Sequence, residues 1–139
     1  MRIHLAAGLA ACVALSAAPA VRAARAPGPI THEVRMWSDG ATAHFAPAEV
    51  VIHPGDAVRF VNTGGGPHNV SFDPEKLPAD VRRALLADMG TQIQPLWGPL
   101  LTETGRDYTI RFSGVKPGRY EFFCMPHMAM GMRGVLVVR

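Results

Sequence analysis

The sequence predicts an all-β sandwich. Short candidate strands recur along the chain, Gly/Pro turns such as Pro54-Gly55-Asp56 and Lys116-Pro117-Gly118 separate them, and only one segment carries a helical period. At 139 residues, with 48% hydrophobic and 18% charged residues, the chain has ordinary globular composition and the length of one domain.

Taken in order, the chain opens on Arg2 and an apolar stretch from Ile3 to Ala18, followed by small residues through Ala23. That layout reads as a secretory signal peptide over residues 1–23 and points to a periplasmic or secreted protein. The small-residue rule for cleavage is met after Ala23 and also after Ala20. Leu9-Ala10-Ala11-Cys12 has the shape of a lipoprotein box, but the apolar run before Cys12 is short and the apolar character continues after it, which disfavours a lipid tether there. Residues 24–30, with Arg25, Pro27, Gly28 and Pro29, read as a flexible lead-in, and 31–139 as the folded domain.

Within that domain the candidate strands are His32–Trp37, Ala43–Phe45, Glu49–His53, Ala57–Asn62, His68–Phe72, Tyr108–Phe112, Arg119–Cys124 and Gly134–Val138. Between the fifth and sixth, Val81, Leu85 and Met89 fall four apart, with Pro78 near the start and Gly90 just past the end, which predicts one short amphipathic helix. Thr91–Leu101, with Pro95, Gly98 and Pro99, reads as an irregular loop closing back onto the sandwich. Trp37 and Trp97 are expected as packing residues.

Charge excludes one class of partner. The formal net charge of +3 comes from scattered residues, so no nucleic-acid footprint is expected. Removing residues 1–23 takes Arg2 and Arg22 and leaves twelve basic against eleven acidic groups. No later apolar run approaches the roughly 18 residues of a spanning helix, so no membrane insertion is expected. The sequence shows no heptads, and a monomer is the expectation.

Removal of the leader also takes Cys12 and leaves Cys124 as the lone cysteine of an exported protein, with no disulfide available to it. A lone thiol in an oxidising compartment has to be buried or occupied, and a metal is one way to occupy it. Around it the order is Cys124-x2-His127-x4-Met132. On a period-2 strand, Tyr120, Phe122 and Cys124 share a face, so the thiol points inward as the strand ends and one loop can wrap a thiolate, an imidazole and a thioether around an ion. That soft set suits copper, whereas zinc rarely takes Met. The best second imidazole is His68 in Gly64-Gly65-Gly66-Pro67-His68-Asn69-Val70. His32, His44 and His53 have no such support. Met130 competes with Met132 as the thioether ligand, and the Gly131-Met132-Arg133-Gly134 context favours Met132.

These motifs, Cys124-Met125-Pro126-His127 through Met132 with Pro67-His68-Asn69-Val70 upstream, resemble the ligand set of the small blue copper proteins, the cupredoxins. The wording of residues 124–132 is similar to pseudoazurin, and the layout of Phe45–Asp73 and Tyr108–Val138 is similar to plastocyanin. The resemblance implies a cupredoxin-like Greek-key β-sandwich with one short helix in a long connecting segment. It implies one type 1 copper ion with His68, Cys124 and His127 as strong ligands and Met132 as the long axial one. It further implies that Asn69 hydrogen-bonds across to the Cys124 loop, and that redox partner proteins dock on an apolar rim around His127 formed by Pro67, Pro126, Met128 and Ala129. The Pro78–Leu101 segment is longer than its plastocyanin counterpart, and the sequence ends at Arg139 without pseudoazurin-like C-terminal helices.

The implied function is electron transfer by a soluble periplasmic carrier. The alternative is a Cu(I) carrier or chaperone, motivated by Met125, Met128 and Met130 beside the site. Enzymatic readings have little to stand on. There is no His-x-His pair for a trinuclear copper cluster, one cysteine is too few for a dinuclear centre, and a Cys124/His127 nucleophile pair lacks a third partner.

Overall fold

The computed structural model describes residues 28–139, so the expected signal peptide, Cys12 and residues 24–27 of the lead-in lie outside the described residues. Eight strands form among the described residues: β1 Thr31–Ser38, β2 Ala43–Ala46, β3 Glu49–Ile52, β4 Ala57–Gly64, β5 Ser71–Phe72, β6 Asp107–Arg111, β7 Gly118–Phe123 and β8 Arg133–Val138. The helix, α1, spans Ala79–Asp88. The strands divide into two four-stranded sheets, ordered β2-β1-β4-β6 and β3-β8-β7-β5. β1 pairs with β4 in parallel, as β3 does with β8, and the other pairs are antiparallel.

Side-chain alternation explains which faces meet. In β1, Val34, Met36 and Ser38 point inward while Glu33, Arg35 and Trp37 point out. That periodicity corrects the expectation for Trp37. With Met36 and Ser38 committed to the core, Trp37 lies 41% exposed and stacks on His44 across the β1–β2 pair, ring centroids 5.9 Å apart. A second correction concerns the expected strand His68–Phe72, of which only Ser71–Phe72 joins a sheet. The backbone groups upstream of Ser71 are taken by the long connection instead: His68 and Leu101 exchange two bonds (3.1 and 2.8 Å), and the Gly98 amide donates to the Val70 carbonyl (2.8 Å).

The core is centred on Phe122, fully buried in β7, whose ring meets Phe45, Phe60 and Phe72 edge-on at centroid distances of 4.8, 5.5 and 6.2 Å. Opposite it in β8 stands Gly134. A Cβ there would fall 2.4 Å from Phe122 Cζ and 2.9 Å from the Ala48 carbonyl, so glycine is required by the ring that lies over it.

α1 seats Val81 and Leu85 in the same core, and Met89, just past its end, is buried with them. The helix stops at Gly90, whose φ of +60° is a left-handed conformation that glycine adopts without strain. Two bonds dock it: Asp88 Oδ2 accepts the amides of Ser113 (2.8 Å) and Gly114 (3.1 Å). The Tyr108 hydroxyl shares its one proton between the Met89 and Thr91 carbonyls, tying the start of the connection to β6. Burial pushes the Tyr108 phenol up to about 12, so it remains a donor throughout the physiological range.

At the opposite end, Asp56 closes the β3–β4 turn. Its carboxylate accepts the amides of His53 (2.9 Å) and Ile30 (2.9 Å) and faces His32 Nε2 (3.0 Å). Those bonds, the His53 amide first, hold the carboxyl at about 2 against an ordinary 3.8. A carboxylate depressed in the folded state stabilises fully above the unfolded value and loses that contribution as pH falls through the folded one. Urea titrations should therefore show about 2 kcal/mol of stability disappearing between roughly pH 4 and pH 2, with a flatter profile in Asp56→Asn. Gly134→Ala should lower stability by about 1–3 kcal/mol in the same assay, because Phe122 has to leave its place for the new methyl group.

Candidate metal centre

β7 delivers Cys124 as the sheet ends, in the alternation that also buries Tyr120 and Phe122. The nine residues Cys124–Met132 form a closed loop. The Cys124 amide donates to the Met132 carbonyl (3.1 Å), and the His127 carbonyl accepts the amides of Met130 (3.0 Å) and Met132 (3.2 Å). A short 3₁₀ turn over Met128–Met130 ends at Gly131, whose φ is +77°. Met132 is fully buried, Met130 is half-buried against the core, and Met128 is exposed.

His68 arrives from the other side. The triple-glycine turn after β4 brings it up, and Gly65 leaves no choice of residue, since a Cβ there would overlap the Ser38 carbonyl at 1.8 Å. Leu101 holds the His68 backbone, and Asn62 Nδ2 ties the turn to the long connection by donating to the Gly66 (3.1 Å) and Leu101 (2.8 Å) carbonyls. Asn69 Oδ1 accepts the Met125 amide at 2.8 Å, the expected bridge from the His68 turn to the Cys124 loop.

The structure brings His68, Cys124 and His127 together with all three ligand atoms within 4.8 Å of one another. Cys124 Sγ lies 3.7 Å from His68 Nδ1 and 3.5 Å from His127 Nδ1. The Gly64 carbonyl can only accept, so His68 Nε2 at 2.9 Å carries the ring proton and Nδ1 presents a lone pair to the sulfur. A thiol has a single proton and cannot satisfy two imidazoles. A thiolate and two imidazole nitrogens arranged around one ion would stand about 3.7 Å apart for metal–ligand bonds of about 2.3 and 2.0 Å, so the separations fit a shared ion.

Electrostatics agree with that fit. Burial pushes the His68 imidazole down, with the Gly64 hydrogen bond opposing and the neighbouring His127 adding a little. Burial also lowers His127. Both rings are therefore neutral donors near neutral pH. Burial raises the Cys124 thiol, partly offset by the backbone amides of Asn69 and His127. A buried thiol in this state is a poor nucleophile but becomes a ligand once a cation replaces its proton.

Residues 32–139 match the family described as copper binding proteins, plastocyanin/azurin family. The chain belongs to that family. Copper is its cofactor. Plastocyanin from Ginkgo biloba is 35% identical over 106 residues, covering 76% of this chain and 98% of the relative. Chloroplastic plastocyanin from Physcomitrium patens is 37% identical over 76% of this chain, which spans only 56% of that protein. Among solved structures, oxidised plastocyanin from Dryopteris crassirhizoma superposes with a TM-score of 0.61 at 30% identity, over 77% of this chain and 99% of that one. A pseudoazurin from Methylobacterium extorquens AM1 gives 0.51 at 28%, covering 78% and 74%. The mostly β two-sheet sandwich with one helix is thus the cupredoxin fold expected from the sequence.

Sequence reasoning missed the groups that aim His68, namely the Gly64 and Leu101 carbonyls and the Asn62 amide. Backbone acceptors leave no mark in residue type, although an Asn just before a glycine run is a signal that could have been read. Replacing Asn69 with Ala should strand the Met125 amide and lower stability by about 1–3 kcal/mol, with faster hydrogen exchange at Met125, measured by denaturation and amide exchange.

Proposed function

We propose that this cupredoxin is a periplasmic electron carrier in which His68, Cys124, His127 and Met132 hold a single type 1 copper ion, Met132 as the weak axial ligand. The observation that carries this reading is the pair of imidazole Nδ1 atoms facing one buried thiol at 3.7 and 3.5 Å. Bound copper supplies a one-electron Cu(II)/Cu(I) couple, and a Cys/His2 set with a long thioether serves both oxidation states.

The chain's contribution is rigidity and access. His68 is held at its backbone by Leu101 and at its ring by Gly64, and the Cys124–Met132 loop is tied across its base, so the ligands need little movement between states. His127 is half-buried, and its Nε2 edge lies against Gly66, where a Cβ would come within 3.9 Å of it. That edge and the surrounding Pro67, Pro126, Met128 and Ala129 form the rim proposed to receive a redox partner protein and pass the electron. Residues 1–23 would export the chain and 31–139 form the working domain, acting as a monomer and as a carrier rather than an enzyme. No helix among the described residues is long and apolar enough to cross a membrane.

Adding Cu(II) to the leaderless protein should give an intense thiolate-to-copper absorption band that disappears in Cys124→Ser. Met132→Leu should shift that band and Met130→Leu should leave it in place; the reverse pattern would make Met130 the axial ligand. A colourless protein that still takes Cu(I) would move the assignment to copper carriage, the reading that Met125, Met128 and Met130 would then serve.

A further inference from the structure

His68 is fully buried, yet a chain of contacts leads from its ring to the surface. Away from Cys124, the ring donates its Nε2 proton to the Gly64 carbonyl at 2.9 Å. Gly64 stands opposite Trp37 in the parallel β1–β4 pair, and a Cβ on it would lie 3.9 Å from Trp37 Cδ1. Trp37 is exposed and stacks on the exposed His44, the two rings within 10° of parallel. We propose that Trp37 is an electron relay that couples the His68 side of the centre to the outer face of the β1–β2 pair, a second port beside the His127 edge.

This inference rests on the electron-transfer reading above and adds a residue to it. Tunnelling falls off more steeply across a gap than along bonds, and a hydrogen bond links two groups far better than empty space does. From His68 outward the route consists of one hydrogen bond, one carbonyl group and one contact with an aromatic ring. One electron passes along it from the reduced site to an outer-sphere one-electron acceptor. No bond forms or breaks, and the indole ends the step neither oxidised nor reduced.

The fold holds the relay at a fixed spacing. Alternation in β1 gives position 37 to solvent, so the indole is not there to fill the core. On one side of it the Thr63 hydroxyl donates to the Met36 carbonyl (3.0 Å). On the other, the glycine turn lies so close to Ser38 that a Cβ on Gly65 would overlap the Ser38 carbonyl. The end of β1 and the turn that carries His68 are thus pressed together on both sides of Trp37, and the stack on His44 fixes the ring from outside.

The test attaches a ruthenium polypyridyl complex to His44 in the copper-loaded, leaderless protein carrying His53→Gln, which removes the other exposed imidazole among the described residues. Flash oxidation of the label to Ru(III) by an added quencher then reads the rate at which the reduced protein returns the electron. Trp37→Leu should slow that rate at least about fivefold and Trp37→Phe should recover most of the loss, with the thiolate band of the oxidised protein unchanged in both. In the metal-free protein, proton NMR should show the His68 ring N–H still in slow exchange in Trp37→Leu, its bond to Gly64 intact. A rate in Trp37→Leu within about twofold of the parent's would overturn the proposal, because the strand ladder between His44 and β4 would then carry the electron. Fast exchange of the His68 proton in that variant would overturn it too, because Trp37 would then merely prop the glycine turn. Failure of the copper reading would show differently, as a parent protein without the thiolate band.

Discussion

The paired hydrogen bonds between His68 and Leu101 carry the constraint on which the candidate metal centre rests. His68 lies past the end of β4, where no neighbouring strand would fix its backbone, and the connection from α1 supplies the missing partner. Asn62 reinforces the pairing by bonding the Leu101 carbonyl, and the Gly64 carbonyl then selects the tautomer. With backbone and ring both committed, Nδ1 has one direction left, toward Cys124. The connection is itself anchored by Tyr108, by the Gly98–Val70 bond and by Leu96, which is buried and held at a φ of +67° with its amide on Gln92 Oε1. A segment that reads as an irregular excursion therefore acts as the outer wall of the site.

Much of this architecture was legible because it is written in local spacing. Alternating burial in β1, β6 and β7, and Val81, Leu85 and Met89 on one helical stripe, are periodic signals that survive without a fold. Cys124 and His127 are near neighbours on one loop, so their meeting needs only a turn. His68 is 56 residues away from Cys124, and the sequence offered it only as the best available partner. What could not be read is the set of backbone acceptors and the pairing of residues 68–70 with the long connection, because those depend on how two segments dock rather than on residue type.

The same limit applied at the other end. Pro54-Gly55-Asp56 is a plain turn signal, and a turn does form there. The signal says nothing of the reach of the Asp56 carboxylate, which gathers donors from Ile30, His32 and His53 across two segments. Nor does it reveal that this group is more consequential than the solvent-exposed ion pairs, such as Arg59 with Glu33 or Lys76 with Glu121, where water screens most of the attraction.

Three of the four proposed copper ligands lie on a stretch of nine residues whose ends are stitched together by the Cys124–Met132 bond. The strands on either side are registered independently, by Phe122 against Gly134 and by the ladder beyond them. The loop is thus a cassette set into a finished frame. Only its outward residues Met128 and Ala129 can vary without touching the core, since Cys124 and Met132 belong to it, and the His68 wall is the fixed jaw against which the loop closes.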